Sequence, residues 1–128
     1  MPKIDIQGLQ KNDDILEPYE KELQFQIAND IALGISEKAV SIFMLPDLRP
    51  RNGEEIIITV SAMVVSKKRT PKVRRAMAER IATCSYKHFP DTQLVEVIIN
   101  MCESESEPDE IVPKPKSYPF SPGWESQQ

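Results

Sequence analysis

The stretch Ile56–Val65 is the longest mostly apolar run in the chain and is rich in β-branched side chains. Branched residues fit a pleated surface, and a run with little polar alternation belongs on a strand covered on both faces. We therefore expect a central strand here, with the other elements arranged around it. Three shorter strands are expected. At 3–9, Ile4 and Ile6 alternate with Lys3, Asp5 and Gln7; at 39–45, Val40, Ile42 and Met44 alternate with Ser41 and Phe43; Leu94–Met101 is the fourth strand.

Between the strands the spacing turns helical. Ile15, Tyr19, Leu23, Ile27 and Ile31 recur every fourth residue, with Asp13 or Asp14 as cap, Pro18 in the first turn and Gly34 as the stop. A second helix opens with Thr70 as cap and Pro71 as first residue, carries Val73, Met77, Ile81 and Cys84 or Ser85 inward, and ends at His88-Phe89-Pro90. Glu17, Lys21, Glu22 and Asp30 on the first helix, and Lys72, Arg75, Glu79 and Arg80 on the second, are expected to be solvated charge.

The order strand–helix–strand occurs twice, and each half returns its second strand parallel to its first. The expected fold is α+β: two βαβ halves forming a four-stranded mixed sheet with two helices on one face, over residues 1–102. The second sheet face then stays open. Ile56-Ile57-Ile58 and Val97-Ile98-Ile99 send apolar side chains both ways, so oligomerisation is expected to cover it. Residues 103–128 form a tail, acidic from Glu103 to Glu110 and then rich in proline, a composition that does not fold alone. It nevertheless holds Tyr118, Phe120 and Trp124, in a chain only 6% aromatic. These three side chains would dock the tail on its own domain or on a neighbouring subunit; free disorder is the alternative.

A formal charge of −4 argues against nucleic acid or an anionic membrane as partner. An RNA-binding sheet would also present aromatic residues on its inner strands, and Ile56–Val65 has none. Cys84 and Cys102 make no disulfide framework, and the single His88 has no metal-type spacing beside it. We read both thiols as free, Cys84 as core packing, and His88 as a partner for a helix C-terminus. No run is long enough to span a membrane, and a soluble cytoplasmic protein is expected.

Pro2 follows the initiator methionine and opens the first strand. If Met1 is removed, Pro2 becomes a secondary amine at the head of that strand. A model α-amino group titrates near ~7.7–8.0, and burial lowers that value. General bases work best near the operating pH, so such an amine is suited to moving protons on a carbonyl substrate. The plainer reading is a proline tolerated at a first strand position, where no ladder N–H is needed.

Pro2 opening a strand, a long helix ending at Gly34 and a strand leading to Leu45-Pro46-Asp47 together resemble the tautomerase superfamily, over about residues 2–101. The first half resembles its macrophage migration inhibitory factor-like members. The second half, with Lys67-Lys68-Arg69-Thr70 before a helix ending Lys87-His88-Phe89, is similar to 5-carboxymethyl-2-hydroxymuconate isomerase. The resemblance implies keto–enol tautomerisation of a small 2-oxo or 2-hydroxy-enoic acid, with Pro2 as general base. It implies Arg69 first, then Lys11 (near the arginine of 4-oxalocrotonate tautomerase-like members) and Lys38, as cations that hold a carboxylate and stabilise an enolate. It further implies a homotrimer, no cofactor and no metal. Four positions depart from the pattern: Ser41 or a neighbour replaces a mid-strand arginine, Ile35 a lysine, and Val95 and Val97 a tyrosine and an asparagine. The alternatives are a non-catalytic scaffold of the same trimeric form, or a ferredoxin-like small-ligand module.

Overall fold

Strand β3 (Glu55–Val64) lies at the centre of a five-stranded sheet with the order β2-β1-β3-β4-β5. The structure is a computed structural model that describes residues 2–9, 13–46 and 54–127. β1 (Lys3–Gln7) runs parallel to β2 (Ser41–Met44), and β3 runs parallel to β4 (Leu94–Cys102). The two halves meet through the antiparallel pair β1–β3. Helix α1 (Asp13–Ala28) connects β1 to β2, and α2 (Pro71–His88) connects β3 to β4. The expected mixed sheet is therefore present, with one strand more than the four expected. That strand is β5 (Lys116–Phe120), drawn from the tail and paired antiparallel to β4.

Alternation decides which face is packed. Ile4 and Ile6 of β1, Ile56, Ile58 and Val60 of β3, and Val95, Val97 and Ile99 of β4 are buried in one cluster with Tyr19, Leu23 and Ile27 of α1 and Met77 and Ile81 of α2. The other face is half-exposed in the single chain, as expected of a face left for a neighbouring subunit to cover. Its chemistry is also mixed. One row of cross-strand neighbours reads Phe43, Asp5, Thr59, Ile98 and Ser117. A single chain has no second layer to lay over these residues, and their polar members tolerate water.

α2 has the ends expected of it. The Thr70 hydroxyl accepts the Val73 N–H at 3.3 Å, and the Phe89 N–H closes on the Ser85 carbonyl. α1 stops sooner than expected, at Ala28. Asp30 takes over the backbone: its carboxylate accepts the Ala32 N–H at 2.9 Å, and its carbonyl accepts the Leu33 N–H at 3.0 Å. Short polar side chains compete with helix in this way. Ile31 is thereby thrown out to 97% exposure, while Leu33 drops into the core. Ile31→Ser should change stability by no more than about 0.5 kcal/mol, as for an ordinary surface site. A urea-unfolding loss of more than about 2 kcal/mol, the cost of losing a core isoleucine, would contradict this placement.

The tail docks on its own chain. Tyr118 and Phe120 are buried, Trp124 meets the Phe120 ring edge-on at 4.7 Å, and the Tyr86 hydroxyl donates to the Phe120 carbonyl at 2.8 Å. Pro119 is tolerated because β5 is an edge strand. Among the described residues, no helix is long and apolar enough to cross a membrane.

Candidate active site

The end of the sheet where β1 begins is also the end where β3 and β4 finish, because β1 is antiparallel to β3. Pro2 stands there, buried, and its carbonyl accepts the Ser41 N–H at 3.1 Å. The β1–β3 ladder ends at Lys3 and Ser61, and β3 is irregular just beyond, between Val60 and Met63. Ala62 in that bulge has φ of 58°, a left-handed conformation that costs an alanine about 1–2 kcal/mol. The bulge returns Met63 to the core face and re-aims the strand beside Pro2.

Arg69 lies at this same end, half-buried. Its Nε and Nη2 donate to the Leu33 carbonyl at 3.1 and 2.7 Å, and Nη1 donates to the Val64 carbonyl at 2.8 Å. Three of its five N–H groups are thus committed to backbone, clamping the chain after α1 to the end of β3. Burial lowers the guanidinium's pKa, while Cys102 and Glu107 nearby favour its charged form; an arginine remains a cation throughout. A lysine cannot serve two carbonyls with one planar fork. Arg69→Lys should lower stability by about 1–3 kcal/mol, read from urea unfolding; an unchanged midpoint would mean that the clamp is not formed.

Lys38 is exposed in the short 3-10 turn Glu37–Ala39 that leads into β2, at the Pro2 end of the sheet. Lys11 lies outside the described residues, as does the loop 47–53 with Asp47. Val95 and Val97, the positions of the departed tyrosine and asparagine, are fully buried in the core. Ile35 is buried and Ser41 half-buried.

A second group of functional side chains forms between the helices. Glu22, expected in solvent, receives the Cys84 thiol at 3.1 Å and lies 3.0 Å from His88 Nε2, both on its Oε2. Its other oxygen takes the Lys87 ammonium. Lys87 foremost holds the Glu22 carboxyl below its usual range, while burial and Glu22 push the Cys84 thiol up. Arg80, also expected in solvent, reaches back to the Gln26 carbonyl at 2.9 Å. Helical period alone foretells which residues share a face, but not which partners that face meets. The antiparallel packing of α1 on α2 creates this group from residues more than sixty positions apart.

No protein-family model and no curated protein matches the sequence. Solved structures do match the fold. A wild-type fused 4-OT, R7, described as an asymmetric trimer, is 16% identical, with 79% of this chain and 86% of that one covered at a TM-score of 0.57. Macrophage migration inhibitory factor of Toxoplasma gondii is 14% identical over 91% of this chain and 99% of its own, at 0.51. Pt0534 inactivated by 2-oxo-3-pentynoate is 11% identical over 80% and 84%, at 0.52. At such identities the likeness is one of fold, and that fold is the tautomerase-like one that the resemblance of residues 2–101 implied.

Proposed function

We propose that this chain is a tautomerase-type isomerase that shifts a small 2-oxo or 2-hydroxy-enoic acid between keto and enol forms. Pro2, as the amino-terminal residue, takes the proton from carbon as general base and returns it. The observation that carries the reading is the burial of Pro2 at the head of β1, beside the bulge of β3. An amine shielded from water titrates lower and is available as a base near neutrality. Arg69, through the two N–H groups left by its clamp, and Lys38 are the cations assigned to the substrate carboxylate and the developing enolate. Lys11 keeps the same assignment. The active form is a homotrimer, since the half-exposed sheet face calls for a neighbour to cover it.

Two measurements test this. Intact mass must show a chain that begins at Pro2, and treatment with 2-oxo-3-pentynoate should add one adduct at that residue. Pro2→Ala should lower turnover of phenylenolpyruvate or 2-hydroxymuconate by about 100-fold or more, the usual worth of a positioned base. Retained Met1, or unchanged turnover, refutes the mechanism. One observation favours a second reading, a scaffold of this fold without turnover: Arg69 spends most of its donors on backbone carbonyls. Absence of both adduct and turnover in a chain correctly begun at Pro2 would establish that reading.

A further inference from the structure

Away from Pro2, the facing sides of α1 and α2 carry three different metal-ligating groups. Glu22 Oε2, Cys84 Sγ and His88 Nε2 all lie within 4.8 Å of one another. Cys84 and His88 are one turn apart on α2, the i, i+4 spacing that puts two side chains on one helix face. Glu22 faces them from α1. We propose that these three residues form a binding site for a divalent transition metal of the zinc type.

The geometry is close to what such an ion needs. Around tetrahedral zinc, with ligand bonds of about 2.0–2.3 Å, neighbouring donor atoms stand about 3.3–3.8 Å apart. Glu22 Oε2 already lies 3.1 Å from Sγ and 3.0 Å from Nε2, and Sγ and Nε2 are within 4.8 Å of each other, so a small adjustment of the three side chains admits the ion. Each donor is held. The His88 ring is tilted against Tyr19 at 5.6 Å, Cys84 is buried on the packed face of α2, and Lys87 steadies Glu22 through the oxygen that the metal leaves free. Thiolate, imidazole and carboxylate together suit zinc or cobalt better than magnesium or calcium, which want all-oxygen shells. On binding, the thiol gives its proton to solvent, and the two anions Cys84 and Glu22 balance the 2+ charge.

The fourth position has somewhere to open. A groove of about 510 Å³ runs past Glu22 and Cys84, lined also by Arg80, Lys87 and Trp124. Three protein ligands with one open position leave room for water or a small anion, and Arg80 and Lys87 would favour the anion. The cluster is also remote from Pro2. Cys84 stands thirteen residues beyond Pro71, about 20 Å along α2 from the end that carries Arg69. The proposal is therefore independent of the tautomerase reading.

Cobalt(II) titration of the full chain under reducing conditions tests it. We expect saturation at one ion per chain, a thiolate-to-cobalt charge-transfer band in the near ultraviolet, and displacement of that band by one equivalent of zinc. Cys84→Ser should abolish the band, whereas Cys102→Ser should keep it. His88→Gln and Glu22→Gln should each weaken cobalt binding about tenfold or more. Absence of a charge-transfer band, or a band lost with Cys102 instead of Cys84, overturns the site. So does cobalt affinity unchanged in both His88→Gln and Glu22→Gln, which would leave a lone thiol. If Cys84→Ser does not fold, His88→Gln, altered at a partly exposed residue, still decides the question through affinity.

Discussion

Gly8→Ala is expected to destabilise the chain by at least about 3 kcal/mol and to lower its thermal midpoint by on the order of 10 °C. Gly8 closes β1 with φ of 94°, where a side chain is strained before any contact is considered. An added Cβ would also lie 2.2 Å from the Glu55 carbonyl oxygen and 3.3 Å from its carbon. Both are backbone atoms at the start of β3, and no rotamer can move them aside. Relief requires β1 and β3 to part next to the Gln7–Ile57 pair, loosening the seam that joins the two halves. Gly34 is the control. Its φ is 63°, but nothing lies within 4 Å of a Cβ there, so Gly34→Ala should cost only the conformational strain, about 1–2 kcal/mol. Equal midpoint shifts for the two variants in calorimetry would show that the close approach at Gly8 is not made.

Tyr19→Ala should cost about 3–5 kcal/mol, the range for deleting a fully buried aromatic side chain. The Tyr19 ring is completely buried between α1 and α2, edge-on to Phe89 at 5.0 Å. Its hydroxyl lies 2.7 Å from Ser85 Oγ, and Ser85 in turn donates to the Ile81 carbonyl at 2.8 Å. The tyrosine is therefore the donor of this pair. Burial raises its pKa above the usual phenol range, so it remains a neutral donor at working pH. Tyr19→Phe removes the donor and leaves Ser85 with its other bond, a loss of about 1 kcal/mol. Ser85→Ala instead strands a buried hydroxyl and should cost more, about 1–3 kcal/mol. Combining Tyr19→Phe with Ser85→Ala should cost less than the two singles added together. Additive losses in urea titrations would show that the hydroxyls are not coupled.

Much of the scaffold could be read from local chemistry. Thr70-Pro71 and Phe89-Pro90 bound α2 because caps and proline act over one or two residues. The alternation of Ile4 with Ile6, and of Val95 with Val97, fixes the packed face for the same reason. Where two local signals competed, the stronger one had to be known in advance. Ile31 continues a flawless every-fourth spacing, yet Asp30 turns the backbone two residues beyond the end of α1. β5 was hidden because Lys116–Phe120 is short, contains a proline and follows an acidic stretch; its strand character comes from β4 alongside it.

The candidate site divides in the same manner. Pro2 announces itself by position and by the strand it opens. Arg69 was identifiable as a cation before a helix, but its fork on the Leu33 carbonyl depends on where the turn after α1 ends. Taken singly in the sequence, Glu22 is a surface charge, Cys84 a core thiol and His88 a helix-end imidazole. Their meeting is a property of how one helix lies on the other, which residue spacing within either helix does not contain.

β5 has a bearing on how copies of this molecule can join. It lies along residues 95–99 of β4, so that rim is occupied by the chain's own tail. The outermost strands are then β5, interrupted by Pro119 with no N–H to offer, and β2, only four residues long. Neither rim offers a long run of free amides for a stranger to zip onto, which guards the molecule against open-ended stacking into fibres. In the proposed trimer, recognition between copies would fall instead to the broad surface of the sheet, where Phe43 and Ile98 stand among Asp5 and Thr59.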